Sequence, residues 1–147
     1  MLFSYHNAVF EIQEKVIAQV RPGNSLKELH DLSCRITTEK LIEIGLLHGE
    51  VDTLLREGAF RAYYPHTIGH HLGLDVHDCG DLSREERGRS AEFKLSSRMV
   101  ITIEPGIYIQ PDDLSVDEKW RGIGVRIEDN ILVTPEGCEN LSAAAIK

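Results

Sequence analysis

Three absences limit the classes of protein that this sequence can encode. No run of about 18 apolar residues occurs, so the sequence predicts no membrane-spanning helix. Basic residues are few, since 16 Lys and Arg face 24 Asp and Glu, giving a net charge of −8. That balance argues against nucleic acid and anionic membranes as partners.

Paired cysteines are absent as well. Cys34, Cys79 and Cys138 are odd in number, widely spaced and free of any CxxC arrangement. This excludes a disulfide framework and a thiolate zinc site. Charged residues and a histidine occur too early in the N-terminal segment for a secretory signal. We therefore expect a cytoplasmic protein, or a mitochondrial one if a targeting segment precedes this sequence.

The first part of the chain has helical patterns. An apolar stripe over residues 5–20 predicts one helix, which Arg21-Pro22-Gly23 would end. Ser25 followed by Glu28 forms a capping box and predicts the start of a second helix. A short third helix is predicted over residues 51–57. The stripe of the first helix consists of Val9, Ile12, Val16 and Val20.

The second part has strand patterns. Residues 98–109 are rich in β-branched residues and contain Pro105-Gly106, which predicts a strand, a turn and a strand. Residues 124–134 predict one further strand, 110–120 a polar loop and 80–97 a charged connection. Helices followed by strands indicate an α+β fold with an antiparallel sheet in a single domain.

Four histidines lie within the stretch YPHTIGHHLGLDVHD at residues 64–78. The spacing of His66 and His70 resembles that of a helical zinc protease, but that motif needs Glu where Thr67 stands. Pro65 and Gly69 also oppose a helix here. A lone loop histidine is usually a polar residue with satisfied hydrogen bonds, whereas a cluster beside two glycines favours a functional site.

Two carboxylates follow apolar strand segments. Glu104 ends the apolar run before Pro105, where a buried charge would need an ion partner or a metal. Alternation over residues 124–129 puts Arg126 and Glu128 on one strand face. Both carboxylates could be solvated strand ends, or metal ligands steadied by Arg126. With an imidazole they form a mixed N/O set that suits Mn²⁺, Co²⁺, Fe²⁺ or Zn²⁺.

Three segments in this order resemble the pita-bread metallopeptidases, which include aminopeptidase P, prolidase, methionine aminopeptidase and creatinase. They are HTIGHHLGLDVHD at 66–78, IEPGIY at 103–108 and GVRIED at 124–129. The longer segment RGIGVRIED at 121–129 is more similar to aminopeptidase P than to prolidase. We therefore expect the C-terminal portion of a pita-bread fold.

The resemblance implies a role for each matching residue. His70, Glu104 and Glu128 would be metal ligands, with Glu104 also a proton shuttle and Glu128 a bridge between two ions. His66 and His77 would contact the substrate and stabilise charge on the tetrahedral intermediate. Arg126, and Tyr108 with it, would steady the carboxylates. No chemical role is implied for His71, and Asp75 and Asp78 would be structural.

The implied activity is removal of an N-terminal residue from peptides with proline in second position. The complete enzyme would use two divalent ions, with Mn²⁺ favoured and Co²⁺ or Zn²⁺ as alternatives. Prolidase is the related alternative, and a non-catalytic pita-bread module that binds peptides or proteins is a second. An unrelated α+β domain with surface histidines is a third.

The sequence departs from the family pattern in lacking two aspartate ligands, which the family carries on strands upstream of the first helix. We therefore expect residues 1–147 to be a partial catalytic domain, without the upstream strands and the N-terminal domain. Alone, it would bind at most one ion weakly, or none, and lack peptidase activity. Exposed sheet edges would favour self-association or a homo-oligomer. Arg98, where relatives usually have glycine, would carry a strained positive φ.

Overall fold

The computed structural model describes residues 2–78 and 93–147, so the predicted connection over 80–97 falls mostly outside the described residues. The described part begins with helices and continues with short strands. The helices are α1 (Leu2–Ile17), α2 (Leu26–Glu43) and α3 (Val51–Glu57), with 3-10 turns at Ala59–Ala62 and Glu118–Trp120. The strands are β1 (His71–Leu72), β2 (Val100–Ile103), β3 (Gly106–Tyr108), β4 (Gly124–Arg126), β5 (Asp129–Val133) and β6 (Cys138–Asn140).

The predicted stripe is buried along α1 and just beyond its end, since Val9, Ile12, Val16 and Val20 are at most 2% exposed. The helix ends at Ile17, three residues before the predicted end. Beyond it, the amides of residues 19 and 20 donate to the carbonyls three residues earlier, as in 3-10 turns. The α1 helix packs against β2, β3 and β4, which carry much of the candidate site.

Helix α2 begins at the predicted capping box. The Ser25 hydroxyl accepts from the Glu28 amide, and the Glu28 carboxylate accepts from the Ser25 amide. Helix α2 ends one residue before Ile44, and Gly45 then adopts φ 78°. The predicted third helix also forms, over Val51–Glu57. No helix in the described ranges combines the length and apolarity that a bilayer crossing requires.

The strands form two antiparallel sheets. One has four strands in the order β1-β2-β5-β6, and the other pairs β3 with β4. In the larger sheet Val100 lies opposite Leu132 and Ile103 lies opposite Asp129. In the smaller one Ile107 lies opposite Val125. The predicted α+β class with antiparallel pairing is confirmed.

The prediction of one continuous strand over residues 124–134 was wrong. The chain leaves the small sheet after Arg126 and enters the large sheet at Asp129. At the break, the Ile127 amide donates to the Pro105 carbonyl in the register of the small sheet, but Pro105 has no amide hydrogen to donate in return. Pro105 marks the matching transfer, from β2 in the large sheet to β3 in the small one. Both predicted carboxylates, Glu104 and Glu128, therefore lie where the chain passes between sheets.

Candidate metal centre

Three side chains from different parts of the chain converge at these crossing points. One ligand atom from each of His70, Glu104 and Glu128 lies within 4.8 Å of the others. Within the part of the chain that the structure describes, no other group of His, Cys, Asp or Glu has this spacing. His70 and Glu104 are partly buried and Glu128 is exposed, so the group faces solvent on one side.

The loop that carries His70 runs alongside β2. The Glu104 amide donates to the Ile68 carbonyl at 2.7 Å, and the Thr102 amide donates to the His70 carbonyl at 2.9 Å. A Cβ at Gly69 would lie 1.9 Å from the Thr102 carbonyl oxygen, so a side chain there would push the loop away from the strand. Glycine at this position therefore sets how closely the imidazole approaches Glu104.

The hydrogen bonds of His70 fix which ring nitrogen faces the carboxylate. Nδ1 lies 3.0 Å from the His71 carbonyl, which can only accept, so Nδ1 carries the proton. Neutral His70 then presents an unprotonated Nε2, 3.5 Å from Oε1 of Glu104. A free imidazole lone pair beside a carboxylate oxygen is a suitable pair of donors for a divalent ion.

Glu104 is held by two polar neighbours. The Thr102 hydroxyl donates to Oε1 at 3.2 Å, and it accepts from the His70 amide at 3.0 Å. Oε2 lies 3.5 Å from Nη1 of Arg126, and the Glu104 side chain is only 12% exposed. Burying a carboxylate costs free energy unless it has such partners. Thr102, itself 1% exposed, thus connects two of the three converging residues.

A second network extends from Arg126 to His66. The Arg126 guanidinium donates through Nε to the Tyr108 hydroxyl, and this hydrogen bond holds the pKa of Arg126 above its ordinary value. The Tyr108 hydroxyl lies 2.9 Å from Nε2 of His66, and Nδ1 of His66 lies 2.8 Å from the Thr67 carbonyl. Because that carbonyl only accepts, neutral His66 is protonated at Nδ1 and accepts from Tyr108 at Nε2. Both ring nitrogens therefore have partners within the protein.

The remaining histidines of the stretch lie around this centre. The His77 ring stands edge-on to His70, with ring centroids 4.4 Å apart, and is exposed. His71 instead contacts the ring of Phe93. Tyr64 packs against His66 with centroids 5.0 Å apart, and burial raises the pKa of its hydroxyl well above the ordinary value. The structure thus brings all the predicted site residues together. Glu128 belongs to the group through the position of its ligand atom, and the others through contacts with one another.

The three ligand atoms fit a divalent ion with small movements. Ligand atoms bound at about 2.1 Å to one ion are at most about 4.2 Å apart, slightly less than the present upper limit. Rotation of the exposed Glu128 side chain would close the difference. Asp31, Asp52, Asp112, Asp113 and Asp117 are not among the converging residues, and four of them have other partners. Those four are Asp31 with Lys27, Asp52 with Arg35, Asp113 with Ser115 and Asp117 with Lys119, whereas Asp112 lies in the 110–120 loop.

The chain belongs to metallopeptidase family M24, whose sequence pattern matches residues 4–135. It is similar to Xaa-Pro aminopeptidase 1 of Streptomyces coelicolor, at 49% identity over 138 residues. That alignment covers 94% of this chain and 28% of the Streptomyces protein.

The fold is similar to solved structures of aminopeptidase P. The Escherichia coli enzyme with the inhibitor Pro-Leu has a TM-score of 0.89 and 40% identity, over 99% of this chain and 32% of that one. The zinc-substituted E. coli enzyme in complex with product has a TM-score of 0.87 and 40% identity, over 98% of this chain and 31% of that one. The predicted resemblance and the pita-bread fold are confirmed, and this chain spans less than a third of the length of each of these relatives.

Sequence reasoning missed Thr102. Its position two residues before Glu104 in β2 puts both side chains on one face of the strand, so alternation could have paired them. Threonine is common in strands, however, and nothing in the local sequence separates a hydroxyl that orients a carboxylate from an ordinary strand residue.

Proposed function

We propose that this chain is part of a metal-dependent aminopeptidase that removes the N-terminal residue from peptides with proline in second position. The observation that carries the proposal is the convergence of His70, Glu104 and Glu128 within 4.8 Å, with an unprotonated imidazole nitrogen facing a carboxylate. The Xaa-Pro aminopeptidase names of the similar proteins supply the substrate class.

In this proposal the three converging residues hold divalent metal, with Mn²⁺ favoured and Co²⁺ or Zn²⁺ as alternatives. Metal bound there would supply Lewis acidity for peptide hydrolysis. Glu104 would take up a proton from the attacking water and release it to the leaving amine, while the Thr102 hydroxyl orients its carboxylate. Arg126 would hold this carboxylate in place before substrate arrives.

His77 and His66 have different capacities toward a substrate. His77 is exposed beside His70, so it can donate to a carbonyl oxygen that becomes negatively charged in the reaction. Neutral His66 has both ring nitrogens engaged by Thr67 and Tyr108. For it to donate to substrate, as the family resemblance implies, its bond with Tyr108 must break or its ring must gain a proton.

We further propose that residues 1–147 form a partial catalytic domain with a partial ligand set. Three ligands without a second bridging carboxylate hold one ion at most and bind it weakly. The two further aspartates would lie on an upstream segment of a longer polypeptide. The protein would be cytoplasmic.

The test compares this chain with a longer polypeptide whose upstream segment carries both aspartates. With added Mn²⁺, only the longer form should hydrolyse a tripeptide with proline second, and Glu104→Gln should abolish that activity. The matching Xaa-Pro dipeptide is assayed in parallel, because exclusive cleavage of the dipeptide would indicate a prolidase. Turnover by residues 1–147 alone, or two bound ions per chain, would contradict the partial ligand set.

A further inference from the structure

Gln13 is a polar residue within the apolar side of helix α1. It lies next to Ile12 and four residues after Val9, and it is only 1% exposed. Burying an amide costs free energy unless its polar atoms find partners. The partners of this side chain therefore indicate why a glutamine stands here.

The Gln13 side-chain amide joins two distant backbone segments. Its Nε2 donates to the Ile103 carbonyl at 3.2 Å and to the Ile127 carbonyl at 3.0 Å. Since both carbonyls only accept and the amide nitrogen carries two hydrogens, a single nitrogen satisfies both bonds. Ile103 directly precedes Glu104, and Ile127 directly precedes Glu128.

Both contacts fall where the chain passes between sheets. Ile103 is the last residue of β2, and Ile127 lies between β4 and β5. The two segments face each other in one register, because Ile103 lies opposite Asp129 and Gly106 lies opposite Arg126. Between these pairs the Ile127 amide donates to the Pro105 carbonyl, but Pro105 has no amide hydrogen to donate to the Ile127 carbonyl in return. The Gln13 side chain supplies the donor that Pro105 lacks, and it joins the Ile127 carbonyl to the Ile103 carbonyl between the two ladders.

We propose that Gln13 is a positioning residue that sets the spacing of the Glu104 and Glu128 carboxylates. Because each carbonyl oxygen lies within 3.2 Å of the same nitrogen, the two segments cannot separate without breaking one bond. The inference rests on the proposed function, in which these two carboxylates bind metal. Residues that orient ligands without touching the ion commonly affect affinity strongly.

The first test uses Gln13→Met, which keeps the length of the side chain and removes both donors. Gln19→Met, at an exposed position just beyond α1, is the matched control. Mn²⁺ affinity is measured by electron paramagnetic resonance at a temperature where circular dichroism shows every variant folded. Gln13→Met should bind Mn²⁺ at least about tenfold more weakly than the parent chain, with Gln19→Met unchanged. Equal affinity in folded Gln13→Met would overturn the proposal, since a purely structural role would lower stability alone.

The second test needs no metal, and its first part needs no variant. In the parent chain, both Nε2 protons of Gln13 should exchange slowly with solvent and show nuclear Overhauser contacts to both segments. In Gln13→Met, the backbone amide signals of Glu104 and Glu128 should both shift. Rapid exchange of the Nε2 protons, or a shift at neither or only one amide, would overturn the bridge. Absence of Mn²⁺ binding by the parent chain would be consistent with the partial ligand set, and these signals alone would then decide the role of Gln13.

Discussion

Arg98 adopts a backbone conformation that side chains disfavour. Its φ of 77° lies in the left-handed region, where a Cβ crowds the neighbouring carbonyl oxygen. Its amide donates to the Val133 carbonyl at 2.8 Å, so the turn that leads into β2 imposes this geometry. Among the non-glycine residues of the described ranges, no other has a positive φ. The prediction of strain at Arg98 is confirmed.

Replacing Arg98 by glycine should stabilise the chain. Relief of the left-handed penalty contributes roughly 1 kcal/mol or slightly more, and the greater freedom of glycine in the unfolded chain offsets part of it. We expect the free energy of unfolding to rise by up to about 1 kcal/mol, measured by urea denaturation. Arg98→Ala, which keeps the Cβ, is the control and should give no such gain; equal gains would attribute the effect to the arginine side chain.

Single residues of the site differ in how far the sequence predicts them. His70, Glu104 and Glu128 belong to distinctive motifs, and the structure brings their ligand atoms together. Thr102 and Gln13 have no such signal, because a strand threonine and a helix glutamine are ordinary residues. The role of Gln13 depends on contacts with residues 90 and 114 positions away, which form only when the chain is folded.

Among the elements, α2 has the most complete local start signal. The reciprocal bonds of Ser25 and Glu28 satisfy donors that the helix leaves free, and Lys94 adds an ion pair with Glu28 at 2.9 Å. The cap therefore joins the helix to the segment that precedes β2. The Leu95 amide also donates to the Asn24 carbonyl at 2.7 Å, and the Gly23 amide donates to the Leu95 carbonyl at 2.9 Å, so backbone bonds join this corner as well.

Ser25→Ala should weaken this corner. Loss of the capping hydroxyl at a fully buried residue should cost about 1 kcal/mol of the free energy of unfolding. Ser97→Ala, at an exposed position nearby, is the control and should change the value by less than about 0.5 kcal/mol. Thermal and urea denaturation of the three proteins provide the comparison, and equal stability of Ser25→Ala and the parent would show that the cap is dispensable.

Helices were predicted better than sheets for a physical reason. Caps, stripes and glycines act within a few residues, so α1, α2 and α3 follow from the local sequence. The division of the strands between two sheets depends on pairing between distant segments, as in β2 with β5. The break after Arg126 carries no proline or glycine, and therefore the sequence of 124–134 looks continuous.

At the scale of the whole molecule, charge and sheet edges act in opposite directions. The net charge of −8 makes copies of the chain repel each other, whereas β1 and β6 lie at the edges of the larger described sheet, where a further strand could add. Self-association through exposed edges thus stays a prediction, and its extent should depend on salt and pH.

We expect association to increase as repulsion is removed. Weight-average mass from sedimentation equilibrium should rise with protein concentration, and should rise further with added salt or as the pH falls from 8 toward the pI near 5.3. The same measurement at low salt and pH 8 is the reference condition. A mass that stays monomeric at every concentration and pH would contradict association through sheet edges.

The transfers between sheets also determine where this protein can change in length. An added residue between Ile103 and Gly106, or between Arg126 and Asp129, would rotate a carboxylate away from its partners and move a strand out of register. The connection from residue 109 to residue 123 begins and ends within the small sheet, so extra residues there leave both crossings intact. Natural insertions and grafted segments should therefore accumulate in that connection and be excluded from the two crossings.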